Sequence, residues 1–264
     1  MVRGWYIGSS GMNAQQNRLD AIANNLANVD TTGYKRDVAV SKPFSELLLR
    51  RMGDDGVKHV PGGSVDYAPI VGKIGLGVET NEIFTIFEQG SFKQTGTPVD
   101  VALGGKGFMT IETPQGERYT RNGTFKLGKE GILETKEGYP VLGENGQIHL
   151  TEKFIINEDG IIFTQNDMQY IDRLKTVSFD DERYLKKVGS SFYKETDYSG
   201  EPEIIEDGKR PQFLQGFIET SNVNVVNEMV QMIEVNRAYE ANQKTIQAED
   251  TMMNNLWSKT ALAR

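Results

Sequence analysis

Only two histidines, His59 and His149, could move a proton near neutral pH, and the chain has no cysteine. A nucleophilic site would therefore pair a hydroxyl with one of those two, yet each is flanked by turn or strand residues with no nucleophile motif nearby. Gly104-Gly105-Lys106-Gly107 has the outline of a phosphate loop. That loop needs an earlier Gly, where this chain has Asp100, and a Ser or Thr after the Lys, where it has Gly107, so a tight turn between strands is expected. Asp180-Asp181-Glu182 could ligate a hard cation or act as an acid–base pair, but adjacent carboxylates after a strand diverge, which favours a solvated loop. Asn122-Gly123-Thr124 fits the glycosylation acceptor pattern and equally supplies a hairpin turn, the preferred reading. No catalytic residue, metal ligand or cofactor site emerges, and the chain is expected not to be an enzyme. A carboxylate site in a pocket, with strongly shifted pKa values, would be needed to reverse that.

Bulk properties narrow the partners. A formal charge of −8 repels nucleic acid from most of the surface. No run of about 18 apolar residues occurs, so no membrane insertion is expected, and Met1-Val2-Arg3-Gly4-Trp5-Tyr6 lacks the marks of a cleavable signal. With 38% hydrophobic and 25% charged residues and 28 scattered glycines, the chain reads as a folded, turn-rich β protein.

What such a chain does then rests on its two ends. Trp5, Gly8, Met12, Gln15, Leu19, Ile22, Leu26 and Val29 alternate by threes and fours, a heptad seam that Gly8 and Gln15 interrupt. Gly8 and Gly11 each cost about 1 kcal/mol of helix propensity against Ala, so the helix is weak alone, and Gly33 offers a stop. Val225, Met229, Met232, Asn236, Tyr239, Gln243, Ile246, Asp250, Met253 and Trp257 repeat the pattern, with Thr220-Ser221-Asn222 as capping residues. Roughly 35 helical residues would make a rod about 50 Å long. From about Val78 to Ile218 the period changes to short strands, including Phe108–Ile111, Gly131–Thr135 and Leu174–Phe179. They are punctuated by hairpin signals at Gln115-Gly116, Asn122-Gly123, Glu130-Gly131, Asn145-Gly146 and Asp159-Gly160. Residues 36–77 form a connector with a short helical possibility at Phe44 to Met52.

The expected fold class is α+β: an N-terminal assembly helix (1–35), a connector (36–77), a central all-β domain (78–218) and a C-terminal assembly helix (219–264), the two long helices packing as a coiled-coil-like pair. Such stripes serve equally to close one molecule. The polar seam positions make an isolated pair marginal, because burying one Leu or Ile contributes only about 1.5–3 kcal/mol while ordering each residue costs roughly 1–2 kcal/mol. Spacing alone leaves self-assembly and an intramolecular pair both open.

Ala23-Asn24-Asn25-Leu26-Ala27-Asn28-Val29-Asp30-Thr31-Thr32-Gly33-Tyr34-Lys35 closely resembles the N-terminal signature of the bacterial flagellar rod and hook family. Glu219-Thr220-Ser221-Asn222-Val223-Asn224-Val225-Val226-Asn227-Glu228-Met229-Val230, followed by Arg237-Ala238-Tyr239-Glu240-Ala241-Asn242, looks like that family's C-terminal signature. Asp100-Val101-Ala102-Leu103 through Gly107-Phe108, then Tyr119-Thr120-Arg121-Asn122-Gly123, is similar to its β domain.

The resemblance implies a structural subunit of the flagellar rod. Its partners would be copies of itself, other rod and hook proteins, and the flagellar export apparatus, through which members leave the cytoplasm unfolded to reach the basal body and its periplasmic rod. The assembly interface expected is Trp5, Met12, Leu19, Ile22 and Leu26 against Val225, Met229, Met232, Tyr239, Ile246, Met253 and Trp257. Phe44-Ser45-Glu46-Leu47-Leu48-Leu49-Arg50 departs from the Phe-x-Asp-Leu-x-Tyr-Gln run frequent in distal rod proteins, which tilts the reading to the proximal rod type. A distal rod or hook-type subunit and a non-polymerising helical adaptor are the alternatives.

Overall fold

A computed structural model describes residues 2–44, 46–50, 57–60, 63–66, 70–150, 153–165, 168–189, 191–205 and 210–261. Two long helices bracket a region rich in short strands: α1 spans Val2–Ala27 and α2 spans Val225–Ala261. The chain divides into two compact units, one of Met1–Ile22, Ala39–Ile83 and Val230–Arg264, the other of Ala23–Val38 and Phe84–Met229.

Local side chains set the helix ends. α1 stops well before Gly33, because the Asn28 side-chain amide donates to the Asn24 carbonyl at 2.8 Å and closes the last turn. Gly33 instead takes a φ of +67° in the turn that follows. At α2 the cap is Asn224, whose Oδ1 accepts from the Asn227 amide at 3.1 Å, and not the Thr220-Ser221-Asn222 run expected to supply it. Those three bind elsewhere: Thr220 and Asn222 donate to the carbonyls of Ser91 and Ile86, and Ser221 caps the Val223 amide.

In the first unit, the expected short helix at 44–52 is a strand, Leu47–Arg50, paired antiparallel with Ile70–Ile74. The physical reason is length. Pro43 and Gly53 bound a run too short to hold a helix without packing, and a partner strand satisfies its backbone instead. Residues 45, 51 and 52 of that run lie outside the described residues. Two more strands, Val57–Val60 and Gly63–Asp66, pair antiparallel.

The second unit is built on a six-stranded antiparallel sheet ordered Lys186–Val188, Phe192–Lys194, Gly116–Thr120, Phe108–Thr113, Thr176–Ser178, Glu203–Ile204. Strand alternation gives the sheet two covered faces. Met109 and Ile111 join Val101, Leu103, Leu133, Ile148 and Leu174 on one face, while Phe108, Tyr119 and Tyr193 pack with Val177 and Phe179 on the other. Edge-to-face rings close the second face: Phe87–Tyr193 at 5.0 Å and Tyr119–Phe179 at 4.9 Å.

Four of the glycine signals join paired strands: Gly116, Gly131, Gly146 and Gly160 all have positive φ. The fifth is different. Gly123 makes no hairpin, and a Cβ there would collide with the Val101 carbonyl, which the Gly123 carbonyl answers by accepting the Val101 amide at 2.9 Å. The 104–107 run is a tight turn with Gly105 and Gly107 at φ +123° and +125°. Asp181 caps a single 3-10 turn, Glu182–Tyr184.

Candidate assembly surface and its buried junction

In the first unit α1 and α2 approach closely and run antiparallel. A Cβ on Gly4 would lie 2.5 Å from Glu249 Oε1, on Gly8 2.9 Å from Ile246 Cγ1, and on Gly11 2.9 Å from Asn242 Nδ2. The helix-weakening glycines are therefore the places where the partner helix lies against the α1 backbone, which is what small residues permit.

The buried stripe on α2 differs from the sequence seam at alternate positions. Val235 is 1% exposed and Glu228 2%, with Asn242 and Glu249 half-buried, while Met229, Asn236, Gln243, Asp250 and Trp257 are exposed. Positions shared by both stripes, Val225, Met232, Tyr239, Ile246 and Met253, are all half-buried. On α1, Ile22 is buried, Met12, Leu19 and Leu26 are half-buried and Trp5 is exposed. Val235 and Glu228 escape a search for apolar heptads because the buried series Glu228, Val235, Asn242, Glu249 is mostly polar. The glycine spacing on α1 is the signal that could have located it.

The second unit holds a junction where the three quoted sequence stretches meet. Lys35 Nζ bonds Glu219 Oε1 at 2.6 Å, both side chains 0% exposed, and also donates to the Glu88 carbonyl at 2.7 Å. Glu219 Oε1 accepts the Gly90 amide at 2.8 Å, and the Arg121 guanidinium sits 3.8 Å from Glu219 Oε2 while donating to the Gly105 carbonyl. Gly33 donates to the Glu219 carbonyl at 2.8 Å, and a Cβ on Gly33 would lie 2.6 Å from the Arg121 carbonyl carbon. Thr32 bonds Asn122 at 2.7 Å, and Arg36 N donates to Asn222 Oδ1 at 2.8 Å.

Asn25, 1% exposed, ties the end of α1 into the same unit. Its Oδ1 accepts from Asp37 N and from the Tyr34 hydroxyl, and its amide donates to the Asp37 carbonyl and to Glu228 Oε2. Asp37 in turn pairs with Lys187 at 3.0 Å, whose ammonium lies 3.7 Å over the Tyr34 ring.

Burial dominates the electrostatics here. It lowers the Lys35 ammonium from its ordinary value, with Glu219 pulling back, and lowers Lys187 against the pull of Asp37. It raises the phenols of Tyr34, Tyr119 and Tyr193 above the usual tyrosine range. These charges pair with one another, and His149 is exposed on the surface. Among the described residues no group of His, Asp or Glu side chains is arranged to hold a metal ion, and no helix is long and apolar enough to cross a membrane.

Three family models match. Residues 6–35 match "Flagella basal body rod protein", 102–164 "Flagellar hook protein FlgE/F/G D1 domain", and 214–257 "Flagellar basal body rod FlgEFG protein C-terminal". Among curated relatives, the flagellar basal-body rod protein FlgG of Buchnera aphidicola subsp. Schizaphis graminum is 36% identical over 97% of this chain and 99% of its own length. That of Borreliella burgdorferi is 36% identical over 96% of this chain and 97% of its own, and that of Bacillus subtilis 34% over 97% and 98%.

Proposed function

Since this chain belongs to the flagellar basal-body rod protein family and is a structural subunit of the rod, we propose that its terminal helices polymerise it into a stiff tube that transmits torque. The observation that carries this is the distribution of exposed apolar side chains on the helices. Trp5, Tyr6 and Ile7 on α1 and Val226, Met229, Val230, Ile233, Met252, Leu256 and Trp257 on α2 are all more than a third exposed. The β region buries cores of its own.

In this reading residues 1–35 and 219–264 are the assembly segments, α1 and α2 pair in coiled-coil fashion, and residues 78–218 form the outer layer. The expected interface residues divide by burial. Ile22 and the half-buried Met12, Leu19, Leu26, Val225, Met232, Tyr239, Ile246 and Met253 hold the helix pair, while Trp5, Met229 and Trp257 face neighbours. Its partners are further copies and other axial proteins. The chain reaches the periplasmic rod through the export apparatus, and no catalysis or membrane insertion enters its work.

The test is a chain lacking residues 1–22 in cells without the native gene. A folded, exported product that builds no rod is the expected result, and normal motility from that truncation would overturn the reading.

A further inference from the structure

A cavity of about 670 Å³ in the second unit is lined by residues 85–89, the turn at 105–106 and residues 178–183, with Arg121 among them. Small organic ligands occupy cavities of that size. Arg121 is 2% exposed, and its guanidinium lies 5.2 Å from the Phe108 ring centroid. Its polar contacts leave from Nη1, to the Gly105 carbonyl and toward Glu219 Oε2, while Nε is buried and donates to no described residue. Two buried cations, Lys35 and Arg121, thus share the Glu219 carboxylate. A buried donor left unpaired is costly, so the free edge of the guanidinium has an acceptor to gain.

The rest of the lining has the opposite character. Phe87 and Phe179 supply apolar wall, and Asp180 and Glu182 bring carboxylates, the first exposed and the second half-buried. Asp181 is paired with Arg183 at 3.0 Å, and Lys106 is exposed. Glu182 acts on Arg121 through space without bonding it. A simple anion drawn to Arg121 would meet those carboxylates, and a simple cation would meet Arg121. A molecule that carries both charges meets neither objection. We propose that the cavity binds a free α-amino acid, its carboxylate on the Nε edge of Arg121, its ammonium turned to Glu182 and Asp180, and its side chain against Phe87 and Phe179. A guanidinium edge holds a planar carboxylate by two parallel bonds, which an ammonium cannot do. The aromatic wall selects an apolar side chain. The site lies within one unit and does not depend on assembly.

Leucine titrated into the full-length chain should saturate and move the backbone amide signals of Gly105, Phe179 and Glu182. Isocaproate, which is leucine without its amine, should bind about tenfold more weakly, and isoamylamine, which lacks the carboxylate, should not bind. Glu182→Gln should cost leucine about tenfold and leave isocaproate unchanged or tighter. Arg121→Lys keeps the charge without the fork and should weaken both acids alike. Should Arg121→Lys not fold, Glu182→Gln, at a half-buried position, still decides. The assignment is overturned by a leucine titration that does not saturate, by signals that move only elsewhere, or by a Glu182→Gln variant that weakens both acids equally or neither.

Discussion

At the scale of single residues the Lys35–Glu219 pair is where removal costs most. Neither side chain touches solvent, and Glu219 also faces the buried Arg121 guanidinium, so Glu219→Leu leaves two cations stranded in the interior. The expected loss is about 3–5 kcal/mol of the second unit's stability, measured by urea unfolding, whereas Lys35→Met, which leaves Glu219 paired with Arg121, should cost less. Equal losses in the two variants would show that the site acts by packing alone. The phenols give a pH test. The pKa values of Tyr34, Tyr119 and Tyr193 are raised in the folded state, so the stability they lend is complete below the ordinary value of 10.0 and falls as pH climbs past it, when only the unfolded chain ionises. Lys35 and Lys187, lowered by burial, act in the opposite sense, adding stability between their lowered values and 10.5. The decline should thus steepen above about 10.5, with phenolate absorbance of those three rings appearing only on unfolding. Three rings ionising while the chain stays folded would contradict it. Sequence could quote Lys35, Arg121 and Glu219 inside three motifs, but the pairing of positions far apart in the chain is set by the fold and no spacing announces it.

At the scale of elements, α1 and α2 were readable as helices because heptad spacing persists over many turns, while the face each buries was readable only in part. Apolar residues at Met229 and Trp257 drew the stripe one position aside from Glu228 and Val235, since burial here follows the small side chains of α1 rather than the large ones of α2. The helix expected at 44–52 failed for a related reason: three consecutive leucines fit either period, and the strand at 70–74 decided between them. Gly8 tests the close approach. Ala at that position gains about 1 kcal/mol of intrinsic helix propensity. Its Cβ would nevertheless press on Ile246 Cγ1 at 2.9 Å, and overpacking of that kind costs about 1–3 kcal/mol. Gly8→Ala is expected to lower the melting temperature of the helical signal, and Ile246→Ala in the same chain to restore it. A Gly8→Ala variant that melts higher on its own would mean the helices are not in contact there.

At the scale of the whole molecule, the linear order of helix, connector, strands and helix does not describe how stability is shared. Residues 23–38 lie within the same compact unit as 84–229. Gly33, Tyr34, Lys35 and Asp37 contribute its bonds to Glu219, Asn25 and Lys187, so the piece of sequence that looks like the tail of an assembly helix is a structural part of the β region. Truncation should respect that boundary. A chain starting at residue 23 keeps Asn25 and every junction contact, and its β core should unfold in urea at the midpoint of the full chain. A chain starting at residue 36 removes Asn25, Gly33, Tyr34 and Lys35, leaves Glu219 to Arg121 alone, and should lose about 3–5 kcal/mol. Were the two truncations to unfold alike, the junction would add nothing to the β core. If the two truncations differ in this way, the assembly-facing helix segments are separable from the core while the junction is part of it.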